Sequence, residues 1–172
     1  MRPALKVTAV FLICAAPLAL GWLAYHERWI PGRTGNYGEL LPPRPLAGPI
    51  APLRGKWVLV TFDASVCGAN CERKLYIVRQ VRRAQGKDAE RIERLWLLTD
   101  GGTPRAELLA ALDGSRIAPA DAALRSAFPG DALASIYLVD PLGNLMMRFP
   151  AEPDPSRMIK DLARLLKYSS FG

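Results

Sequence analysis

The chain has 172 residues and a mass of 18.9 kDa, half of it hydrophobic and 23% charged, with a formal net charge of +7. That length holds one ordinary domain with an appendage, and the hydrophobic share excludes a wholly disordered chain. The single histidine, His26, excludes a Ser-His-Asp triad, a Cys-His pair or a His-rich metal site in the body of the chain, each of which needs an imidazole there.

The first predicted element is a membrane segment. Val7 to Tyr25 runs 19 residues without a charge. As a helix rising about 1.5 Å per residue it would reach roughly 28 Å, close to the hydrocarbon thickness of a bilayer. Trp22, Tyr25 and Trp29 cluster at its far end, where amphipathic rings favour the interface. Arg2 and Lys6 precede it, so residues 1–6 are expected in the cytoplasm, 7–25 in the bacterial inner membrane and the remainder in the periplasm. The rival reading is a cleaved signal peptide, for which Ala19-Leu20-Gly21 supplies small residues. Cys14 follows the bulky Ile13, where a lipoprotein site wants a small residue, and reads as an ordinary membrane residue.

Residues 26–53 are expected to form an extended linker, because Pro42, Pro43, Pro45, Pro49 and Pro52 interrupt any helical period. Beyond residue 30 the chain carries 20 basic and 15 acidic residues. They interleave on amphipathic helices without an aromatic stripe, which predicts a solvated face and no nucleic-acid partner.

Residues 54–172 read as one domain. Lys56 to Phe62 is a short apolar, β-branched run and predicts a buried strand. Cys71 to Ala84 is helical, with Leu75, Val78 and Val81 at three-residue steps and Arg73, Lys74, Arg79, Arg82 and Arg83 pointing elsewhere. Ile92 to Thr99 predicts a second buried strand. Thr103-Pro104 reads as the cap of a helix reaching Leu112. Ile136 to Val139 and Leu145 to Phe149 form a predicted hairpin around Asp140-Pro141-Leu142-Gly143-Asn144. Asp154-Pro155 caps a last helix with an apolar stripe of Met158, Leu162 and Leu165. This βαβ then ββα order predicts an α/β thioredoxin-like fold with a central mixed sheet, behind an N-terminal transmembrane helix.

The chemistry concentrates in Cys67-Gly68-Ala69-Asn70-Cys71, between the first strand and the first helix. Sites form at the C-terminal ends of strands in such sheets, and a helix start stabilises a thiolate. The two cysteines can form a disulfide, pass one on, or clasp the soft ion Cu(I). A static bridge is the bland alternative, although a loop this short gains little from it. Zinc would find its tetrahedron half empty. Asp63, beside the strand end, is a candidate proton acceptor or a plain turn carboxylate. Met146 and Met147, adjacent on a strand, should face opposite ways, with at least one in the core. Trp57 and Trp96 read as core, and Gly101-Gly102 as a turn.

The segment from Phe62 to Cys71 resembles the Cys-x-x-x-Cys segment of the Sco/SenC proteins, membrane-anchored thioredoxin-fold factors that assemble the copper site of cytochrome c oxidase. Thr99-Asp100-Gly101-Gly102-Thr103-Pro104 and the run from Ile136 to Gly143 are similar to two further stretches of that family. The helix-start geometry predicts Cys67 as the exposed attacking thiol and Cys71 as the resolving thiol, and the resemblance implies a redox-active assembly factor. Its expected partners are oxidase subunits or other assembly factors. Two features depart from the family: Glu72 stands where a proline is usual, and no histidine stands near Ala132, where the family carries its third copper ligand. Thiol–disulfide exchange, a Cu(I) carrier on Cys67 and Cys71, and a non-catalytic assembly partner all remain open.

Overall fold

Apolar runs that pair side by side need cover on both faces, and the strands of this chain find it on each side of one sheet. The computed structural model describes residues 3–26 and 35–170. Residues 1–2, 27–34 and 171–172 lie outside the described part, and with them Trp29, the start of the expected cytoplasmic segment and most of the first third of the expected linker. The chain divides into two units, Met1–Gly35 and Asn36–Gly172.

The first unit holds helix α1, Pro3–His26, with Pro17 inside it and exposed Val10, Phe11, Leu12, Ile13, Leu18, Leu20 and Trp22. Cys14 is exposed on it. Among the described residues no helix is long and apolar enough to cross a membrane.

The second unit begins with strand β1, Glu39–Pro45, followed by a 3-10 turn, Gly48–Leu53. Strand β2 (Trp57–Asp63), helix α2 (Ala69–Arg83), strand β3 (Ile92–Leu98), helix α3 (Ala106–Ala111) and strand β4 (Arg116–Pro119) come next. Helix α4 (Ala122–Ser126), strands β5 (Ile136–Val139) and β6 (Asn144–Phe149), and helix α5 (Pro155–Tyr168) complete it. The sheet order is β1-β6-β5-β2-β3-β4. β2, β3 and β4 run parallel, while β5 is antiparallel to β2 and β6, and β6 to β1. The mixed thioredoxin-like sheet is therefore present, with two more strands than the sequence predicts.

Alternation along β2 assigns its side chains to two layers. Val58, Val60 and Phe62 join Leu95, Leu97, Tyr137 and Val139 on one face, covered by Leu46, Ile50, Leu53 and Phe128. Trp57 and Leu59 join Ile92, Ile136 and Leu138 on the other, under Ile77, Val78 and Val81 of α2 and Met158, Leu162 and Leu166 of α5. Burying an aliphatic or aromatic side chain of this size contributes about 1.5–3 kcal/mol. Phe62, Phe128 and Tyr137 meet edge to face, with Phe128 4.8 Å from Phe62 and 5.0 Å from Tyr137 by ring centroids.

Several expectations need correction. Residues 36–53 are not free linker. Proline lacks an N–H, yet at a sheet edge one side of the strand needs no partner, so Pro42, Pro43 and Pro45 are tolerated in β1. The next turn lays Ile50 and Leu53 over the sheet. Tyr37 and Gly38 donate their N–H groups to the buried carboxylate of Asp161 on α5, both at 2.8 Å. α3 begins at Ala106, not at Thr103, and its cap is Arg105, whose side chain makes no capping bond. α2 begins two residues before Cys71. Met146 and Met147 do not face opposite layers. The β5–β6 register skips Met146, and that bulge lets both methionines pack into the α5 side of the core. Asp154 caps α5 as expected, accepting from the N–H groups of Ser156 and Arg157. Trp57 and Trp96 are buried as expected.

Candidate functional site: the Cys67–Cys71 disulfide and its surroundings

β2 delivers the chain to the C-terminal edge of the sheet at Asp63, a short loop follows, and α2 starts at Ala69 behind Gly68 in extended conformation. Cys71 is thus in the first turn of α2, and Cys67 sits just before it. The structure brings the two together in a disulfide with Cα atoms 5.3 Å apart. Both sulfurs pack into an apolar layer of Leu75, Trp96, Leu98, Leu108 and Leu112. Cys67 retains 7% exposure and Cys71 3%, so the sequence expectation of an openly exposed attacking thiol is too strong for the oxidised form. A disulfide is apolar, and it packs as one. Next to it Val66 is 87% exposed, an apolar marker at the rim of the bridge.

The loop is clamped from the neighbouring strand. Asp100, just past β3, accepts the Ser65 hydroxyl at 2.7 Å and the Ser65 N–H at 3.0 Å, and Cys67 donates its own N–H to the Ser65 carbonyl at 3.0 Å. The Ser65 hydroxyl first, then backbone N–H groups, hold the Asp100 carboxyl below the usual carboxylate range. Gly102 belongs to the same device. A Cβ there would lie 2.1 Å from Ser65 Oγ, so the turn read as mere punctuation is a close backbone approach. Glu72, where the family pattern has proline, is also employed: it pairs with Arg105 ahead of α3.

The largest correction concerns Lys74. Its place among the outward-pointing basic residues of α2 was wrong, because it is 7% exposed and turned inward. Its ammonium meets the Asp63 carboxylate at 2.8 Å and donates to the carbonyl of Phe62 at 3.0 Å and to that of Leu133. Three donors find three acceptors, which is what a buried ammonium requires. Asp63 is accordingly neither a solvated turn carboxylate nor free. One signal existed in the sequence: Lys74 stands three residues after Cys71, on the same helix face.

Asp63, Cys71, Lys74, Asp131, Leu133 and Glu152 contribute to the wall of one cavity of about 520 Å³. The position expected to hold a third metal ligand, Ala132, does not. Asp131 accepts the N–H groups of Leu133 and Ala134 in a tight turn, which sends Ala132 into the core beside Phe128 and leaves Leu133 on the cavity wall.

For a metal, the reduced cysteine pair offers two soft thiolates, a donor set suited to Cu(I). Among the described residues no group of three or more His, Cys, Asp or Glu is placed to hold an ion. Of the charged groups on the cavity wall, Lys74 and Asp63 are already paired with each other.

Among solved structures the fold is similar to copper-bound ScoI of Bradyrhizobium japonicum at 24% identity, over 67% of this chain and 88% of that one, with a TM-score of 0.52. It is similar to apo Sco1 of Thermus thermophilus at 19% identity, over 77% and 95%, with a TM-score of 0.53. Copper-bound yeast Sco1 matches at 16% identity over 78% and 94%, with a TM-score of 0.54. No curated protein matches the sequence. Residues 57–169 match the sequence model of a family described as "transmembrane-like, thioredoxin-like, C-terminal domain", and the chain belongs to that family.

Proposed function

We propose that the chain is a membrane-anchored thiol–disulfide exchange factor that uses Cys67 and Cys71. The observation that carries this reading is the disulfide across the first turn of α2, at the C-terminal end of β2. There the helix N-terminus favours the thiolate form of the reduced pair, and Lys74, one turn on from Cys71, adds a positive charge that its partner Asp63 partly offsets. In the reducing direction the Cys67 thiolate attacks a client disulfide, forming a mixed disulfide and releasing one client thiolate. Cys71 then attacks the Cys67 sulfur, closes the bridge and releases the second thiolate, so two electrons pass to the client. The oxidised form runs the same steps backwards.

The likeness to Sco structures supports a copper-site subunit of cytochrome c oxidase, or another assembly factor, as the client. The anchor in the bacterial inner membrane, with the domain in the periplasm, rests on the uncharged sequence run from Val7 to Tyr25 alone, since no described helix is long and apolar enough to cross a membrane. A Cu(I) carrier on the same two sulfurs is the second reading, favoured by the copper bound in two of the similar Sco structures.

Trapping decides. In cells, Cys71→Ser should accumulate mixed disulfides through Cys67, and thiol labelling of the unmutated chain should find both redox states. A pair that is always oxidised, with no mixed disulfide in Cys71→Ser, would mean a static bridge. A pair that is always reduced and binds Cu(I) more tightly than the double Cys→Ser variant would favour the carrier.

A further inference from the structure

A second set of charged groups lies away from the disulfide, where the C-terminal half of α2 crosses β3 and the turn 111–115. Arg94 occupies the middle of β3, facing α2, and is 3% exposed. Its Nη2 donates to the Asp113 carbonyl, but its Nη1 is buried without a partner. Arg79 donates through Nη1 to the Ala111 carbonyl at 2.7 Å, while its Nε is likewise buried and unpartnered. Ser115, in the same turn, has a buried Oγ with no partner. Arg82 is tied to the Ile92 carbonyl at 2.7 Å, and Arg83 to the Asp113 carboxylate.

The charge does not balance. Arg79, Arg82 and Arg83 act on Arg94, against the single carboxylate of Asp113. Burial first, and then Arg82, push the Arg94 guanidinium below its ordinary value, with Asp113 opposing. The orphan guanidinium atoms can only donate, so what is missing is an acceptor. A buried positive charge that lacks compensation calls for an anionic one. Water accepts about two hydrogen bonds, whereas a tetrahedral oxyanion offers several acceptor oxygens and the compensating charge. Asp113 is held with φ at 51°, and its pair with Arg83 is half exposed on both sides, so it is the contact an incoming anion can displace.

We propose that Arg79, Arg83, Arg94 and Ser115 form a binding site for a phosphate-type oxyanion, entered by displacement of Asp113 from Arg83. The full chain in an uncharged maltoside detergent is titrated at fixed ionic strength with inorganic phosphate in one arm and with a short-chain phosphatidylglycerol in the other. The thermal midpoint and phosphorus-31 line widths are the readouts. A saturable response to phosphate is expected, weakened about tenfold in Ser115→Ala and abolished in Arg94→Met. Saturation by phosphate alone assigns a free oxyanion, and mutual competition assigns the lipid phosphodiester. If Arg94→Met fails to fold, Arg79→Lys, which lacks the Nε donor, takes its place. A response no larger than that to potassium chloride, or one unchanged in Ser115→Ala and Arg79→Lys, overturns the site and leaves ordered water as the partner of these atoms.

Discussion

Replacing Lys74 by methionine keeps most of the side-chain volume and removes only the ammonium. The Asp63 carboxylate would then stay three-quarters buried without its cation, since its side chain is 25% exposed. Breaking one partner out of a buried ion pair costs about 3–5 kcal/mol. Asp63 keeps the Ala64 N–H at 3.1 Å and some water, so the lower end applies, about 3 kcal/mol. At roughly 3 °C per kcal/mol for a unit of this size, the thermal midpoint should fall by about 10 °C. Adding Asp63→Asn should recover most of that loss, because the unpaired charge disappears. The same substitution removes a positive charge near the reduced cysteines, which disfavours the thiolate and makes the disulfide harder to reduce. If the charge contributes about 1 kcal/mol, the reduction potential should move about 20 mV more negative. Equilibration with dithiothreitol measures it. A Lys74→Met chain within about 0.5 kcal/mol of the parent, with an unchanged potential, would show that the pair neither holds the fold nor bears on the cysteines.

Three further outcomes are expected. Asp100, whose carboxyl is depressed chiefly by Ser65, contributes stability that is present above the unfolded value of about 3.9 and is lost as pH falls through the folded one; Asp100→Asn should flatten the acid limb of denaturation midpoints against pH. Gly102→Ala drives a methyl into Ser65 and should cost about 1–3 kcal/mol by chemical denaturation, together with faster reduction of the disulfide as the clamp loosens; an unchanged denaturation midpoint would mean the loop yields without cost. Added Cu(II) should oxidise the reduced domain without a lasting sulfur-to-copper charge-transfer band. Ala132→His should destabilise the core rather than complete a site, and Leu133→His, on the cavity wall, is the substitution that should yield a band. A persistent band in the unmutated chain would reveal another ligand.

The legible parts of the molecule were those where one physical signal dominated. β2 and β5 are almost wholly apolar, β3 closes on the apolar run Leu95–Leu98, α5 has a strong stripe and an Asp-Pro start, and Cys67 and Cys71 stand at the strand–helix junction that the strand pattern fixes. β1 was hidden because its prolines carry a linker signature, and only the edge position in the sheet makes them admissible. β4 and α4, with four and five residues, are too short to show a period. Lys74 was misplaced for a different reason. A lysine on an amphipathic helix is ordinarily solvated, and its burial depends on three acceptors from β2 and the turn before β5 that no local pattern announces. Ala132 and Leu133 were separated by one residue of turn geometry, which the hydrogen bonds of Asp131 decide.

The strap of residues that docks at the sheet edge also defines where the cooperative folding unit starts. A chain cut at Trp57, where the family match begins, would lose the two N–H donors that satisfy Asp161, whose carboxylate is 3% exposed on α5. It would uncover the Met147 and Phe149 side chains that crowd against Gly38, and strip Leu46, Ile50 and Leu53 from the opposite face. The β6 ladder would become an open, hydrophobic edge, the kind of template along which chains associate. Residues 36–56, although they precede the family-matched region in sequence order, are thus a built-in guard against aggregation as much as a connection to the N-terminal helix.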